Sequence, residues 1–195
     1  ENKSSSPQTG DLVVATNAYF PPFEYFEGNK FKGVDIEIAS KIATKLGKTL
    51  FVKDMDFEAI IPSVASGESD IGMAGLTVND ERLKTVDFSL GYYSSYQVIT
   101  VRESTTLFDE CKNAEDVENI LKAQTSKYKI GTQNGTTGYM YSAGDSGFGY
   151  DGFKNLTTKG YTTGALAMKD LSNGKIDAVI LDKQPSLMIA ATLNK

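Results

Sequence analysis

Short apolar runs alternate along this chain with segments whose apolar residues step by three and four, and that alternation restricts the fold more than any other feature. Leu12 to Ala15 reads as a strand ending in Thr16-Asn17, followed by the turn-rich Phe20-Pro21-Pro22-Phe23. Gly33-Val34-Asp35 opens a helix with Ile36, Ala39, Ala43 and Leu46 on one face, and Gly47 falls where a C-terminal cap belongs. Leu50 to Val52 is a second strand, and Phe57 to Ser66 a second helix with Ile60, Ile61 and Val64 inward and Gly67 as its stop. Asp70 to Gly75 is the third strand. Strands separated by helices pair in parallel, so the chain predicts an α/β fold of mostly parallel sheets covered on both faces by helices.

Tyr96 to Val101 is strand-like but has no helix directly after it, as expected of a crossing between lobes. A new series then begins, with a helix from Asn113 to Ala123, a strand from Lys129 to Thr132 and a helix from Thr136 onward. A Gly/Tyr/Asp-rich loop spans Ala143 to Gly152, before a strand near Phe153 to Leu156, a helix from Thr163 to Leu171 and a strand from Ile176 to Leu181. One internal echo links the two series. Val64-Ala65-Ser66-Gly67-Glu68-Ser69-Asp70-Ile71 and Leu171-Ser172-Asn173-Gly174-Lys175-Ile176-Asp177-Ala178 both run helix, Gly, two residues, Asp, apolar strand. The predicted division is a disordered tether over 1–10, a first lobe over 11–97, a hinge crossing over 98–102 and a second lobe over 103–195.

Composition narrows the chemistry. The net charge of −5 and the scattered basic residues make nucleic acid an unexpected partner. No apolar run approaches a membrane span, so membrane association is expected only through a tether or lipid anchor. The chain has no His, which removes the commonest general base and the usual zinc and haem ligands. A lone Cys111 forms neither an internal disulfide nor a Cys-rich metal site, and it reads as a small residue near a helix start. Without His, catalysis would rest on carboxylates, Lys or Tyr. The balance favours binding, with no metal or other cofactor expected.

Gly75-Leu76-Thr77-Val78-Asn79-Asp80-Glu81-Arg82 follows the third strand, so Gly75 and Thr77 stand at its carboxyl end, the usual ligand position in an open α/β sheet. Asp80 is placed to cap a short helix that returns Arg82 to the same spot. A bare N–H at Gly75, the Thr77 hydroxyl and the Arg82 guanidinium would together hold a carboxylate. A second strand-to-helix joint, Gly131 to Gly138, puts Thr136 or Thr137 at a helix N-terminus, which favours an anion or simply a capping hydroxyl. It lacks the Gly-Lys-Ser/Thr ending of a phosphate loop. Asp182, just past another strand, would hold an ammonium or cap the next helix. Phe20 and Phe57 would wall the aliphatic part of such a zwitterion, or serve as core.

Gly33-Val34-Asp35-Ile36-Glu37-Ile38-Ala39, with Ile42-Ala43 and Leu46-Gly47, resembles the signature of the polar amino-acid solute-binding proteins of ABC importers (family 3). Val34 stands where an aromatic or larger aliphatic residue is usual. Val14 to Glu24, Ala74 to Thr77 with Asp80-Glu81-Arg82, and Asp87-Phe88-Ser89 with Gly91-Tyr92-Tyr93 are similar to the glutamine-binding member. Gly135-Thr136-Thr137-Gly138 and Asp177 to Asp182 fit the family's second lobe. The resemblance runs from about Asp11 to the end.

It implies a two-lobed type II periplasmic-binding-protein fold with a cleft and a hinge at Val98 to Val101. Gly75, Thr77 and Arg82, helped by Thr137, are then expected to bind an α-carboxylate and Asp182 the α-ammonium. Phe20 and Phe57 would sandwich the side chain, and Gln133 would line the second lobe's contribution. Asn17 stands where many members carry Asp for a ligand's polar end. No Lys or Arg occurs in the motifs around Asn17 and Gln133, so an acidic ligand is disfavoured, while glutamine-like and arginine- or lysine-like ligands stay open. The implied role is the extracytoplasmic component of an importer, lipid-anchored before Glu1, that closes on a polar L-amino acid and docks on permease subunits. A cyclohexadienyl-dehydratase-like enzyme and a receptor's sensor domain are the alternatives. Family members continue past the helix holding Pro185 to Leu193 and cross back to the first lobe, so the resemblance implies a return crossing and a lobe 1 carboxyl end beyond Lys195.

Overall fold

A computed structural model describes residues 6–194 and divides the chain into two compact units, 1–89 and 90–195. Residues 1–5 of the expected tether lie outside the described residues, and residues 6–10 are exposed and belong to no helix or strand. In chain order, unit 1 holds β1 (Leu12–Thr16), β2 (Tyr19–Phe20), β3 (Glu24–Glu27), β4 (Lys30–Lys32), α1 (Val34–Lys45), β5 (Leu50–Asp54), a 3-10 turn (Phe57–Ala59) leading into α2 (Ile60–Ala65), β6 (Ile71–Gly72) and α3 (Asp80–Leu83). Unit 2 holds β7 (Gln97–Val101), α4 (Ala114–Lys122), β8 (Lys129–Gln133), α5 (Thr137–Ala143), β9 (Thr157–Tyr161), α6 (Gly164–Ser172), β10 (Ala178–Asp182) and α7 (Lys183–Leu193).

The parallel order β5-β1-β6 of unit 1 follows from its strand–helix alternation. Successive β1 side chains point to opposite faces, and both faces are covered. Val14 packs with Ala39, Ala43 and Met73 on the α1 side, whereas Ala15 packs with Ile60 and Ala74 on the α2 side. One expected core position and one strand boundary differ. Leu46 is exposed because α1 ends at Lys45, and the third strand shrinks from Asp70–Gly75 to Ile71–Gly72, pairing β1 only at Val14 and Ala15. The turn-rich segment after Asn17 and the stretch up to Lys32, to which the sequence reading assigns no element, are in part an antiparallel sheet, β2-β3-β4, an exception to the expected parallel pattern. Tyr19 meets Phe26 edge-on and Phe26 meets Phe31 tilted across it, with ring centroids 5.9 and 4.6 Å apart.

Unit 2 repeats the arrangement. Its strands run β7-β10-β8-β9, and the parallel trio β9-β8-β10 has the order of β5-β1-β6. Here β10 alternates, with Val179 and Leu181 toward α6 and α7, and Ala178 and Ile180 toward Leu121, Phe153 and Leu156. The edge strand β7 is antiparallel to β10, so residues 98–101, read as part of a crossing, are paired within the sheet of unit 2. The strand expected at Phe153–Leu156 lies instead at Thr157–Tyr161, in register with Lys129–Gln133. Phe153 and Leu156 are buried in a turn, where Asn155 Nδ2 donates to Leu121 O at 2.9 Å and Gln124 O at 2.6 Å. A buried turn and a strand carry equally apolar residues, which is why the pattern alone misplaced it.

The echoed joints share one geometry. Val13 N–H donates to Asp70 Oδ2 at 2.8 Å and Asp70 N–H returns to Val13 O at 2.8 Å. Lys129 N–H donates to Asp177 Oδ2 at 2.8 Å, and Asp177 N–H returns to Lys129 O at 2.9 Å. Each Asp clasps its unit's central strand, β1 or β8, and sets the register of the strand that follows.

Candidate functional site

The candidate residues of unit 1 lie beyond the carboxyl ends of β1 and β6. Gly75 turns the chain out of the sheet at a φ of 57°, a left-handed conformation that favours glycine, and a Cβ there would lie 3.6 Å from the Phe20 ring. Its N–H is not bare. It donates to Asp35 Oδ2 at 2.9 Å, and Asp35 is fully buried in the first turn of α1. A buried carboxylate requires donors, so α1 claims the N–H that the sequence reading assigned to a ligand. Asp35 itself was legible only as a helix opener.

Arg82 reaches the same region through α3. The cap of this one-turn helix is Asn79, whose Oδ1 accepts from Arg82 N–H at 2.9 Å, and not Asp80 as expected. Asn79 holds the extended backbone a cap requires, while Asp80 is already helical. The Arg82 side chain is buried, with Nη1 donating to Thr77 O at 2.8 Å and the guanidinium carbon 5.6 Å from the Phe57 ring centroid. Burial lowers the Arg82 pKa to about 10, so the group stays cationic at neutral pH in a desolvated setting. Thr77 is exposed. The structure thus gathers Gly75, Thr77, Arg82, Phe20 and Phe57.

Asn17 is buried at the end of β1, and its Nδ2 donates to Met55 O at 2.8 Å. Part of the amide expected to read a ligand therefore holds the β5 exit. The next residue is fixed as well, because Ala18 N–H donates to Asp54 Oδ1 at 2.8 Å. Burial raises the Asp54 pKa, with Asp56 adding to the rise.

Unit 2 places Asp182 at the end of β10. It precedes α7, but its side chain does not cap that helix; Oδ1 instead accepts from Gln97 Nε2 at 2.7 Å. The same nitrogen donates to Thr137 Oγ1 at 3.2 Å. The two threonines separate in role. Thr136 caps α5, accepting from Tyr139 N–H at 3.4 Å and donating to Gln133 O at 2.7 Å, while Thr137 is helical. Gln133 is almost fully buried, and its Nε2 donates to Thr162 O at 3.2 Å, tying β8 to the β9–α6 joint. Gln97 was not singled out from the sequence, because a Gln opening a strand carries no motif. Among the described residues, no group of three or more Cys, Asp or Glu could hold a metal ion.

Unit 1 therefore presents a desolvated cation beside the Phe57 ring, and unit 2 a carboxylate and a hydroxyl held by one Gln97 amide. Residues 12–184 match the sequence profile of the bacterial extracellular solute-binding proteins, family 3. This chain belongs to that family. Within family 3 it is 36% identical over 104 residues to the arginine-binding extracellular protein ArtP of Bacillus subtilis, covering 53% of this chain and 41% of ArtP. Two further curated relatives are spanned to 63% and 65% of their lengths. A mutant of arginine-bound ArgBP from T. maritima superposes with a TM-score of 0.77 at 31% identity, covering 94% of this chain and 78% of that one. The ancestral amino acid-binding protein AncCDT-1, a precursor of cyclohexadienyl dehydratase, superposes with a TM-score of 0.78 at 29% identity, covering 94% and 75%. The two-lobed α/β architecture is thus that of family 3, and its relatives here are named as binding proteins.

Proposed function

We propose that this chain is the extracytoplasmic substrate-binding component of an ABC importer and takes a polar L-amino acid. Unit 1 receives the α-carboxylate through Arg82, with the Thr77 hydroxyl beside it, and unit 2 receives the α-ammonium through Asp182. The observation that carries this reading is Arg82, a guanidinium kept buried against Phe57 although burial alone disfavours its charge. A desolvated guanidinium gains most from an anion that offers two oxygens. Arginine leads the candidates because ArtP and ArgBP are named for it, and glutamine, histidine and lysine complete the panel. Delivery to permease subunits and a lipid anchor ahead of Glu1 belong to the same reading.

Calorimetry against these four amino acids tests it, with saturable binding of at least one as the expected outcome. Mass spectrometry of the recovered ligand then separates binder from enzyme. The kinship with AncCDT-1 raises the enzymatic alternative, and that protein is itself described as amino acid-binding. Dehydration needs an acid aimed at a leaving group. Of the carboxylates described above, Asp35 accepts from Gly75 N–H, Asp54 from Ala18 N–H and Asp182 from Gln97 Nε2. Recovery of the ligand unchanged is expected, and conversion of a prephenate-like substrate would refute the reading.

A further inference from the structure

We infer that Gln97 is a positioning residue that fixes the hydrogen-bond polarity of both Thr137 and Asp182. The inference rests on the proposed role of those two residues in holding the ligand. Gln97 opens β7 and Asp182 closes β10, and the two are direct partners in the antiparallel register. Partners of this kind project to the same face of the sheet. The Gln97 amide nitrogen has two hydrogens, and it meets two acceptors: Asp182 Oδ1 at 2.7 Å and Thr137 Oγ1 at 3.2 Å.

Two consequences follow. Because Thr137 Oγ1 accepts from Gln97, its own hydrogen is turned outward as a donor, the polarity a ligand carboxylate needs. Because Asp182 commits Oδ1 to Gln97 and its side chain does not cap α7, Oδ2 is the oxygen that takes an ammonium. The reversed amide would set Gln97 Oε1 against the Asp182 carboxylate, so charge fixes the orientation.

The arrangement is bought against local stability. Gln97 Oε1 is buried without a hydrogen-bond partner among the described residues, and such an atom in a native fold marks a constraint other than packing. Gly138 makes room for it, since a Cβ there would come within 2.8 Å of Oε1 and 3.1 Å of Ile180 O.

The test compares the full chain with Gln97→Glu and Gln97→Met by calorimetry with L-arginine and L-glutamine, from about pH 5 to about pH 8. Wild type is expected to bind evenly across that range. Gln97→Met should bind at least about tenfold more weakly throughout, through loss of a donor to a carboxylate. Gln97→Glu should be weak at the alkaline end and recover toward the acidic end, because only its neutral carboxyl has a proton to give Asp182. A purely structural residue would give no such pH profile, and its loss would show equally in ligand-free melting. If Gln97→Met does not melt cooperatively, the Gln97→Glu profile decides alone. Binding within twofold of wild type by Gln97→Glu at every pH would overturn the inference. If wild type binds no amino acid, the proposed function fails instead. Gln97 is then tested by NMR, where its Nε2 protons should shift in Asp182→Asn and Thr137→Val, and unmoved resonances would refute the geometry.

Discussion

Replacing Arg82 by Met separates a ligand contact from a structural strut. Lowering the Arg82 pKa from 12.5 to about 10 means that burying the cation opposes folding by roughly 3 kcal/mol. Against this stand a charge-assisted hydrogen bond to Thr77 O, of about 1.5–3 kcal/mol, and the contact with the Phe57 ring, of about 0.5–2 kcal/mol. Met fills a similar space without charge, and the exposed Thr77 is open to water. For these contacts the opposing terms nearly cancel, so their loss should change ligand-free stability by no more than about 1–2 kcal/mol, or a few degrees in Tm for a chain this size. Binding should behave otherwise. Truncating one partner of a desolvated charge pair typically costs about 2–5 kcal/mol, which is at least about thirtyfold in Kd. A ligand at about 100 times the wild-type Kd stabilises by about 2.7 kcal/mol, and after a thirtyfold loss the same concentration gives about 0.9 kcal/mol. In a thermal-shift assay the ligand-induced rise should therefore fall from about 5–10 °C to about 2–3 °C. Arg82→Lys should behave like Arg82→Met in binding, because an ammonium does not reproduce a two-pronged contact. A ligand-induced shift equal to that of wild type would refute the assignment. A ligand-free Tm lowered by more than about 10 °C would show that Arg82 is chiefly a strut.

Asn17→Asp should move preference toward arginine or lysine in a competition assay and, by removing the donor to Met55 O, lower stability by about 1–3 kcal/mol; an unchanged ranking would show that position 17 does not read the side chain. Asp35→Ala should strip the Gly75 amide of its acceptor, and amide hydrogen exchange at Gly75 should become much faster while β6 changes little. Asp170 accepts from Lys175, Lys159 and Tyr161, which hold its carboxyl well below the usual carboxylate range. A depressed carboxylate contributes stability that is present above its unfolded value near 3.8 and lost as pH falls below it. Melting in acid should accordingly be less pH-dependent in Asp170→Asn than in wild type, and parallel acid limbs would contradict this.

The sequence by itself determined the alternation of strands and helices, and with it the parallel strand trio of each unit, because buried strands and amphipathic helices leave different periods in the apolar residues. It also determined the echo at Asp70 and Asp177, since one joint needs the same Gly and Asp wherever it recurs. The cation at Arg82 and the carboxylate at Asp182 were legible for a related reason: charged residues at the carboxyl ends of apolar strands stand out. Tertiary structure alone decided which polar groups each unit uses internally. Gly75 N–H goes to Asp35, 40 residues away, and the Asn17 amide to Met55, 38 residues away. The site also owes Gln97 to the fold, because Asp182 lies 85 residues further along the chain and only the β7–β10 pairing brings them together. Hydrogen-bond partners that distant leave no periodic trace. A sequence displays which groups can donate and accept, and the packed sheets decide which of them meet.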